Sequence, residues 1–177
     1  GPGTNPPPLE AWQDKATTTP ETIRLWWRNN PAYGVGIATG HYGDRWLFCV
    51  DVDTGIDKKT GRIKEGDETL ADLEAEHGAL PPTVEGQSGS GGRPLWFWSP
   101  VEITNNQAGQ LGLDLDIRGV GGQIVCHPTI HPDTGRPYER IDECAPGELE
   151  VADAPQWLLD LLTRPVDVEP RRELPKY

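Results

Sequence analysis

Trp46-Leu47-Phe48-Cys49-Val50-Asp51-Val52-Asp53 is an apolar run that ends in two acids. Its aromatic and β-branched residues predict a strand from Trp46 to Asp53, the clearest in the chain. Side chains two apart on a strand share a face, so Asp51 and Asp53 point the same way, about 7 Å apart at Cα. Two ionised carboxylates that close repel one another, and a cation between them resolves the conflict. Oxygen donors suit magnesium or manganese. Taken alone, the motif is equally compatible with a strand end dissolving into a solvated acidic turn.

A second acidic segment shifts that balance. In Leu113-Asp114-Leu115-Asp116-Ile117-Arg118, strand alternation puts the leucines and the isoleucine on one face and Asp114, Asp116 and Arg118 on the other. Paired with the first strand, this face completes a carboxylate cluster beside a cation. Three carboxylates can hold two metals, which clamp the attacking and leaving oxygens of an in-line displacement. A half-exposed edge strand with a polar face is the competing reading. Between the two acidic segments lies Ser88-Gly89-Ser90-Gly91-Gly92-Arg93. Such a loop presents backbone N–H groups, small hydroxyls and one guanidinium, a set able to hold a triphosphate. Ordinary glycine-serine turns share this composition.

Outward from these motifs the chain alternates short apolar runs with turns. Residues 1–18 are polar and proline-rich and predict a loose lead-in. Thr19-Pro20-Glu21 starts a helix, with Thr19 as cap and Ile23, Trp26 and Trp27 as its apolar face. Gly34 to Thr39 predicts a buried strand. Gly55 to Gly66 predicts a charged loop or hairpin. Asp67 to His77 predicts a helix with Leu70 and Leu73 on one side and Gly78 as its stop. Strands follow at Leu95 to Trp98, Leu113 to Arg118 and Gln123 to Cys126, and a closing helix at Pro155 to Leu162. The domain is expected to run over residues 19–165, with a charged, mobile tail over 166–177. Strands and helices mix without regular βαβ alternation, which favours α+β.

The 177 residues suffice for one substantial core, and seven tryptophans supply buriable area. The 21 glycines and 18 prolines fall between the apolar runs and mark turns. A net charge of −12 is opposite to that of a basic nucleic-acid-binding domain, so weak DNA binding by this domain alone is expected. Cys49, Cys126 and Cys144 form no CxxC pair, which argues against structural zinc and for reduced thiols in a cytoplasmic protein. No apolar stretch approaches the ~20 residues of a membrane span. The start shows no signal-peptide pattern, and Gly1-Pro2-Gly3 reads as an expression remnant.

The order of these pieces resembles the primase-polymerase catalytic domain of the archaeo-eukaryotic primase superfamily, of the type found in phage and plasmid replication proteins. The matching stretches begin with Gly34-Val35-Gly36-Ile37-Ala38-Thr39-Gly40, Val50-Asp51-Val52-Asp53 and Leu80-Pro81-Pro82-Thr83. Ser90-Gly91-Gly92-Arg93-Pro94-Leu95-Trp96-Phe97 and Leu115-Asp116-Ile117-Arg118-Gly119 with Gly121-Gly122 follow. Last come Pro128-Thr129-Ile130-His131 with Gly135 and Tyr138, and the closing helix.

The resemblance implies an α+β fold in which a sheet module similar to an RNA-recognition motif packs with an N-terminal αβ unit. It implies template-directed nucleotidyl transfer in a bacterial host cell. Asp51, Asp53 and Asp116 would be the catalytic, metal-binding triad for two magnesium or manganese ions. Ser88, Ser90, Gly91, Gly92 and Arg93 would bind the incoming nucleoside triphosphate, and Arg118 and His131 would touch nucleotide or template. The implied partners are single-stranded DNA and a fused or associated helicase. One departure stands out. Family members usually carry a histidine after the Gly-Gly-Arg stretch, where this chain has Pro94, so Arg93 and the backbone of Ser90 to Gly92 are expected to hold the triphosphate.

Two other classes compete. Asp51-Val52-Asp53-Thr54 fits the first motif of haloacid-dehalogenase-like phosphatases, with Asp51 as nucleophile and Asp53 as acid/base. That family also needs a later lysine and an acidic pair beyond a long helical region; Gly66-Asp67 lies too close, and no later candidate lysine exists between it and Lys176. The second is a catalytically silent nucleotide- or nucleic-acid-binding module, which Pro94 and the acidic charge favour.

Overall fold

The computed structural model describes residues 11–105 and 110–164. Of the expected lead-in, residues 1–10 lie outside the described part, as does the whole expected tail. The chain begins with a helical turn, α1 (Trp12–Lys15), and a longer helix, α2 (Pro20–Asn29). Strands β1 (Val35–Ala38), β2 (Gly40–Tyr42) and β3 (Arg45–Val52) follow, then a hairpin of β4 (Thr54–Ile56) and β5 (Ile63–Glu65) and helix α3 (Gly66–His77). Next are β6 (Gly86–Gln87), β7 (Arg93–Ser99), β8 (Leu115–Arg118), β9 (Gln123–Cys126) and β10 (Glu139–Arg140). A 3-10 turn (Asp142–Cys144), β11 (Ala152–Asp153) and α4 (Gln156–Thr163) close the chain. The expected α+β class is observed.

The five-stranded main sheet is organised around β3. It pairs antiparallel with β7 along one edge; along the other it pairs antiparallel with β2 near Arg45–Leu47 and with β8 at Cys49–Val52. β11 adds a parallel partner to β7. A strand covered on both faces reads as a continuous apolar run, which is why Leu47 to Val50 are all buried. Phe48, Val50 and Val52 face a core built with Leu95, Phe97, Leu115 and Ile117, closed by Leu70 of α3 and Leu158, Leu159 and Leu162 of α4. Phe48 and Phe97 are direct cross-strand partners with ring centroids 5.9 Å apart, a contact that adds to their burial. The other face carries Leu47, Cys49, Trp96, Val84 and Ile124. Asp51 follows on that face, where the apolar cover gives out.

Three sequence expectations are corrected here. Among the described residues the Val35–Ala38 strand pairs with β9 alone, in a two-stranded ribbon outside the main sheet, and its Gly36 and Ile37 are exposed. Thr19 stands at the start of α2 but its hydroxyl makes no capping bond, and that helix contributes no buried residue. β8 begins only at Leu115. Asp114 before it adopts a left-handed backbone, φ 59°, so alternation does not extend to it, and Leu113 is exposed. Among the described residues no helix is long and apolar enough to cross a membrane.

Candidate active site

Register decides what meets Asp51. Its partner on β7 is Pro94 and its partner on β8 is Asp116, and residues directly opposed across strands lie on one face. Asp53, two residues on, shares that face, as does Arg118, which is opposite Cys49. Asp51, Asp53 and Asp116 therefore converge from two strands, Asp116 on the same side of the sheet as Asp51. Arg118 Nη2 lies 3.1 Å from Asp116 and 3.6 Å from Asp51. Lys64 Nζ lies 2.9 Å from Asp53. Burial pushes the Asp51 carboxyl up from 3.8 to about 6; the charges of Asp53 and Asp116 add to this, and Arg118 and Lys64 oppose it.

The donor chemistry of three clustered carboxylates fits a hard divalent cation. Their side chains, however, are engaged with Arg118 and Lys64, and among the described residues no group of three or more His, Cys, Asp or Glu is arranged to hold a metal ion. Two positive side chains of the chain itself partly offset the three carboxylates.

Asp114 does not join this cluster. It accepts two hydrogen bonds from Arg62, at 2.8 and 2.7 Å, and one from the Glu65 N–H at 2.9 Å. Arg62 holds its carboxyl below the ordinary carboxylate value. Its work is to fasten the β4–β5 hairpin to the turn before β8.

The glycine-serine loop lies beside Asp53. A Cβ placed on Gly92 would come 3.8 Å from Asp53 Oδ1 and 3.0 Å from the Val52 carbonyl. Inside the loop, Ser88 donates to the Gly92 carbonyl at 2.7 Å and Gly91 to the Ser88 carbonyl at 2.9 Å, while the Ser88 and Ser90 hydroxyls are 2.9 Å apart. Gly91 has φ +105°, so a side chain there is strained by the backbone, and its Cβ would press on Thr54 Oγ1 at 3.1 Å. The turn of residues 131–136 backs the loop: the Thr134 hydroxyl donates to the Gly89 carbonyl at 3.0 Å, and a Cβ on Gly89 would strike the His131 side chain at 2.5 Å. His131 Nδ1 accepts the Asp133 and Thr134 N–H groups, which leaves Nε2 as the proton-bearing nitrogen in the neutral ring.

Arg93 is placed differently from the sequence expectation. It is opposite Val52, on the helix-covered face, and its guanidinium reaches Asp67 of α3 at 2.8 Å and Glu85 at 3.4 Å. Pro94 is the residue that looks across at Asp51.

Sequence reasoning missed two residues. Lys64 carries no local signal that separates it from Lys58, Lys59 and Arg62, the other basic residues of the same charged hairpin. Tyr138 has no role legible in the sequence; its ring lies 5.7 Å from that of His131, and burial with the nearby Asp51 charge raises its hydroxyl above the ordinary value.

Together these features define an α+β domain whose central strand delivers a cation-balanced carboxylate cluster next to a glycine-serine loop. The chain matches the family model described as bifunctional DNA primase/polymerase, N-terminal, over residues 1–157, and it belongs to that family. Membership implies a primase/polymerase type of nucleotidyl transfer acting on nucleotide and DNA substrates. No curated protein and no solved structure matches the chain. The phosphatase reading loses its footing, since its support was one short motif.

Proposed function

We propose that this domain joins nucleotides on a single-stranded DNA template in phage or plasmid replication, beside a fused or associated helicase. The observation that carries the reading is the Asp51–Asp116 register pair with Asp53 on the same face, next to the loop of residues 88–92. Two divalent ions held by Asp51, Asp53 and Asp116 would clamp the attacking and leaving oxygens of the displacement. The N–H groups of Gly89, Ser90 and Gly92 have no acceptor among the described residues, and with the Ser88 and Ser90 hydroxyls they form an anion-receptive turn for the triphosphate. Arg93 fixes the exit of this loop through Asp67 and Glu85. Arg118 and His131 flank the carboxylates and the loop, and His131 with Tyr138 offers a ring surface toward the nucleotide. For the fold, β3, β7 and β8 with α3 and α4 on one face support the expected likeness to an RNA-recognition motif packed with an N-terminal αβ unit.

Primer extension and dinucleotide synthesis with magnesium or manganese test this reading; binding without any turnover would instead favour the silent module, whose support is the pairing of the carboxylates with Lys64 and Arg118. Single-stranded DNA binding by the domain alone is expected to be weak. Its log affinity should fall with log salt at a slope of magnitude below about 3, because each phosphate contact on a single strand contributes about 0.7. A steeper slope in a fluorescence-anisotropy titration contradicts the assignment of an acidic, contact-poor surface.

Pro94→His is expected to strengthen triphosphate binding about tenfold, the lower end of what a hydrogen bond to a charged group contributes. Its side chain would stand directly across from Asp51, over the edge of the loop. An unchanged nucleotide KM in the variant means that this position does not face the phosphates.

A further inference from the structure

The hairpin of residues 54–65 carries four of the chain's 16 lysines and arginines, Lys58, Lys59, Arg62 and Lys64, in a protein of net charge −12. Three of them are spent on fastening it. Lys58 pairs with Asp133 at 2.8 Å, Arg62 with Asp114 at 2.7 Å, and Lys64 with Asp53 at 2.9 Å. The first two tie the hairpin to the 131–136 turn and to the turn before β8. The third contact is therefore set in register by the other two.

Lys64 is opposite Gly55 in the hairpin, and opposed residues share a face. A Cβ on Gly55 would lie 3.1 Å from the Ser90 carbonyl. The face from which Lys64 projects is thus the one turned to the glycine-serine loop. Its ammonium meets Asp53 at 2.9 Å from the hairpin face that is turned to the glycine-serine loop, and its side chain is only 24% exposed. A divalent ion arriving at Asp53 removes the attraction that holds the ammonium there and replaces it with repulsion. A phosphate in the adjoining loop would then compete for the ammonium with Asp114 and Asp57, whose charges also act on it, and a flexible four-carbon stem can make a short transfer.

Resting on the primase-polymerase reading of this site, we propose that Lys64 is a built-in counter-ion that holds Asp53 in the metal-free domain and passes to the triphosphate of the incoming nucleotide when divalent ions take the carboxylates. A structural salt bridge alone would affect neither ligand in the same pattern, because the proposal requires opposite effects on cation and nucleotide.

The test uses the whole 177-residue chain and reads binding, not turnover. Free Mn²⁺ is followed by electron paramagnetic resonance without nucleotide, and a non-hydrolysable nucleoside triphosphate is titrated at saturating Mn²⁺. Lys64→Gln is expected to tighten Mn²⁺ binding at least ~3-fold, through loss of a charge a few ångströms from the ion. It should weaken triphosphate binding about tenfold, through loss of a charged hydrogen bond. Lys64→Arg, which keeps the charge, should restore most of the triphosphate affinity, and Lys59→Gln should change neither. Unchanged Mn²⁺ affinity, unchanged triphosphate affinity, or equal effects from Lys59→Gln each overturn the proposal. If the native chain binds both ligands and Lys64→Gln is silent, only the role of Lys64 fails. If the native chain binds neither, the reading of the site fails with it.

Discussion

Asp51→Asn is expected to abolish nucleotide addition while raising the stability of the metal-free domain at pH 8. The first effect follows from the position of Asp51 at the centre of the cluster, opposed by Asp116 and flanked by Asp53. On the proposed two-metal reading, losing one of the three carboxylates removes several kcal/mol of transition-state stabilisation, at least ~10³-fold in rate. The second effect has its sign fixed by linkage. The Asp51 carboxyl is raised from 3.8 to about 6 in the folded protein, so the folded state holds that proton more tightly than the unfolded chain does. Stability therefore falls as pH rises from about 4 through 6, and above that the ionised group is a standing cost. At about 1.4 kcal/mol per tenfold change in proton affinity, the cost is on the order of 2–3 kcal/mol. Asparagine removes it, and the melting temperature at pH 8 in chelator should rise by about 5 °C or more. At pH 3.5 the gain should nearly vanish, because the carboxyl is then protonated in the folded state and mostly protonated in the unfolded chain. Magnesium should stabilise the native protein and not the variant. A variant less stable than the native protein at pH 8 would show that the charge is compensated in the fold, and one that still extends primers would remove Asp51 from the chemistry.

Gly66→Ala is expected to damage fold and site together. Gly66 is the first residue of α3, buried where the helix meets the end of β3. Its N–H donates to the Asp53 carbonyl at 3.1 Å, and the Asp53 N–H donates to the Asp114 carbonyl at 2.9 Å. A Cβ on Gly66 would lie 2.5 Å from the Asp53 carbonyl oxygen, 2.7 Å from that of Asp114 and 3.0 Å from the Asp53 nitrogen. All three are backbone atoms, which cannot turn aside as a flexible side chain would. Relief requires moving α3 away or displacing Asp53, and either separates the carboxylate from its partners. The cost should reach the upper part of the ~1–3 kcal/mol range of overpacking, or exceed it. Denaturant melts should show the loss, and activity should fall even at temperatures where the variant remains folded. Gly61→Ala, at a hairpin glycine whose Cβ would meet nothing within 4 Å, is the matched control; its own strain at φ +72° is confined to the turn. Equal behaviour of the two would argue that the Asp53 backbone is not constrained by the helix.

Much of this site was legible in linear order. The run Trp46 to Val52 announces a central strand because both its faces are covered, and two acids at its end are unusual enough to mark the place where cover stops. Gly78 ends α3 as expected because a left-handed residue there terminates the helix without a side-chain clash. The Leu115-Asp116-Ile117-Arg118 alternation likewise assigns Asp116 and Arg118 to a face of their own. The same rule failed at Asp114. Alternation holds only while the chain stays extended, and nothing local announced that Arg62, 52 residues earlier, would hold Asp114 in a turn. The reading of Gly34 to Thr39 as buried failed for a related reason: an apolar strand is buried only if some other layer arrives to cover it.

What the sequence determined by itself was the inventory: an α+β chain, a strand ending in Asp51 and Asp53, a second acidic strand, and a glycine-serine loop followed by Arg93 and Pro94. Tertiary structure alone decided how these meet. Pairing of β3 with β7 and β8 set Asp116 and Pro94 against Asp51 and turned Arg93 to the opposite face, toward Asp67 and Glu85. The fastened hairpin set Lys64 on Asp53. The physical reason is the period of two along a strand. Local sequence fixes which residues share a face of their own strand, but the partner's register fixes what that face confronts, and a slip of one residue would exchange Pro94 for Arg93 at the carboxylates.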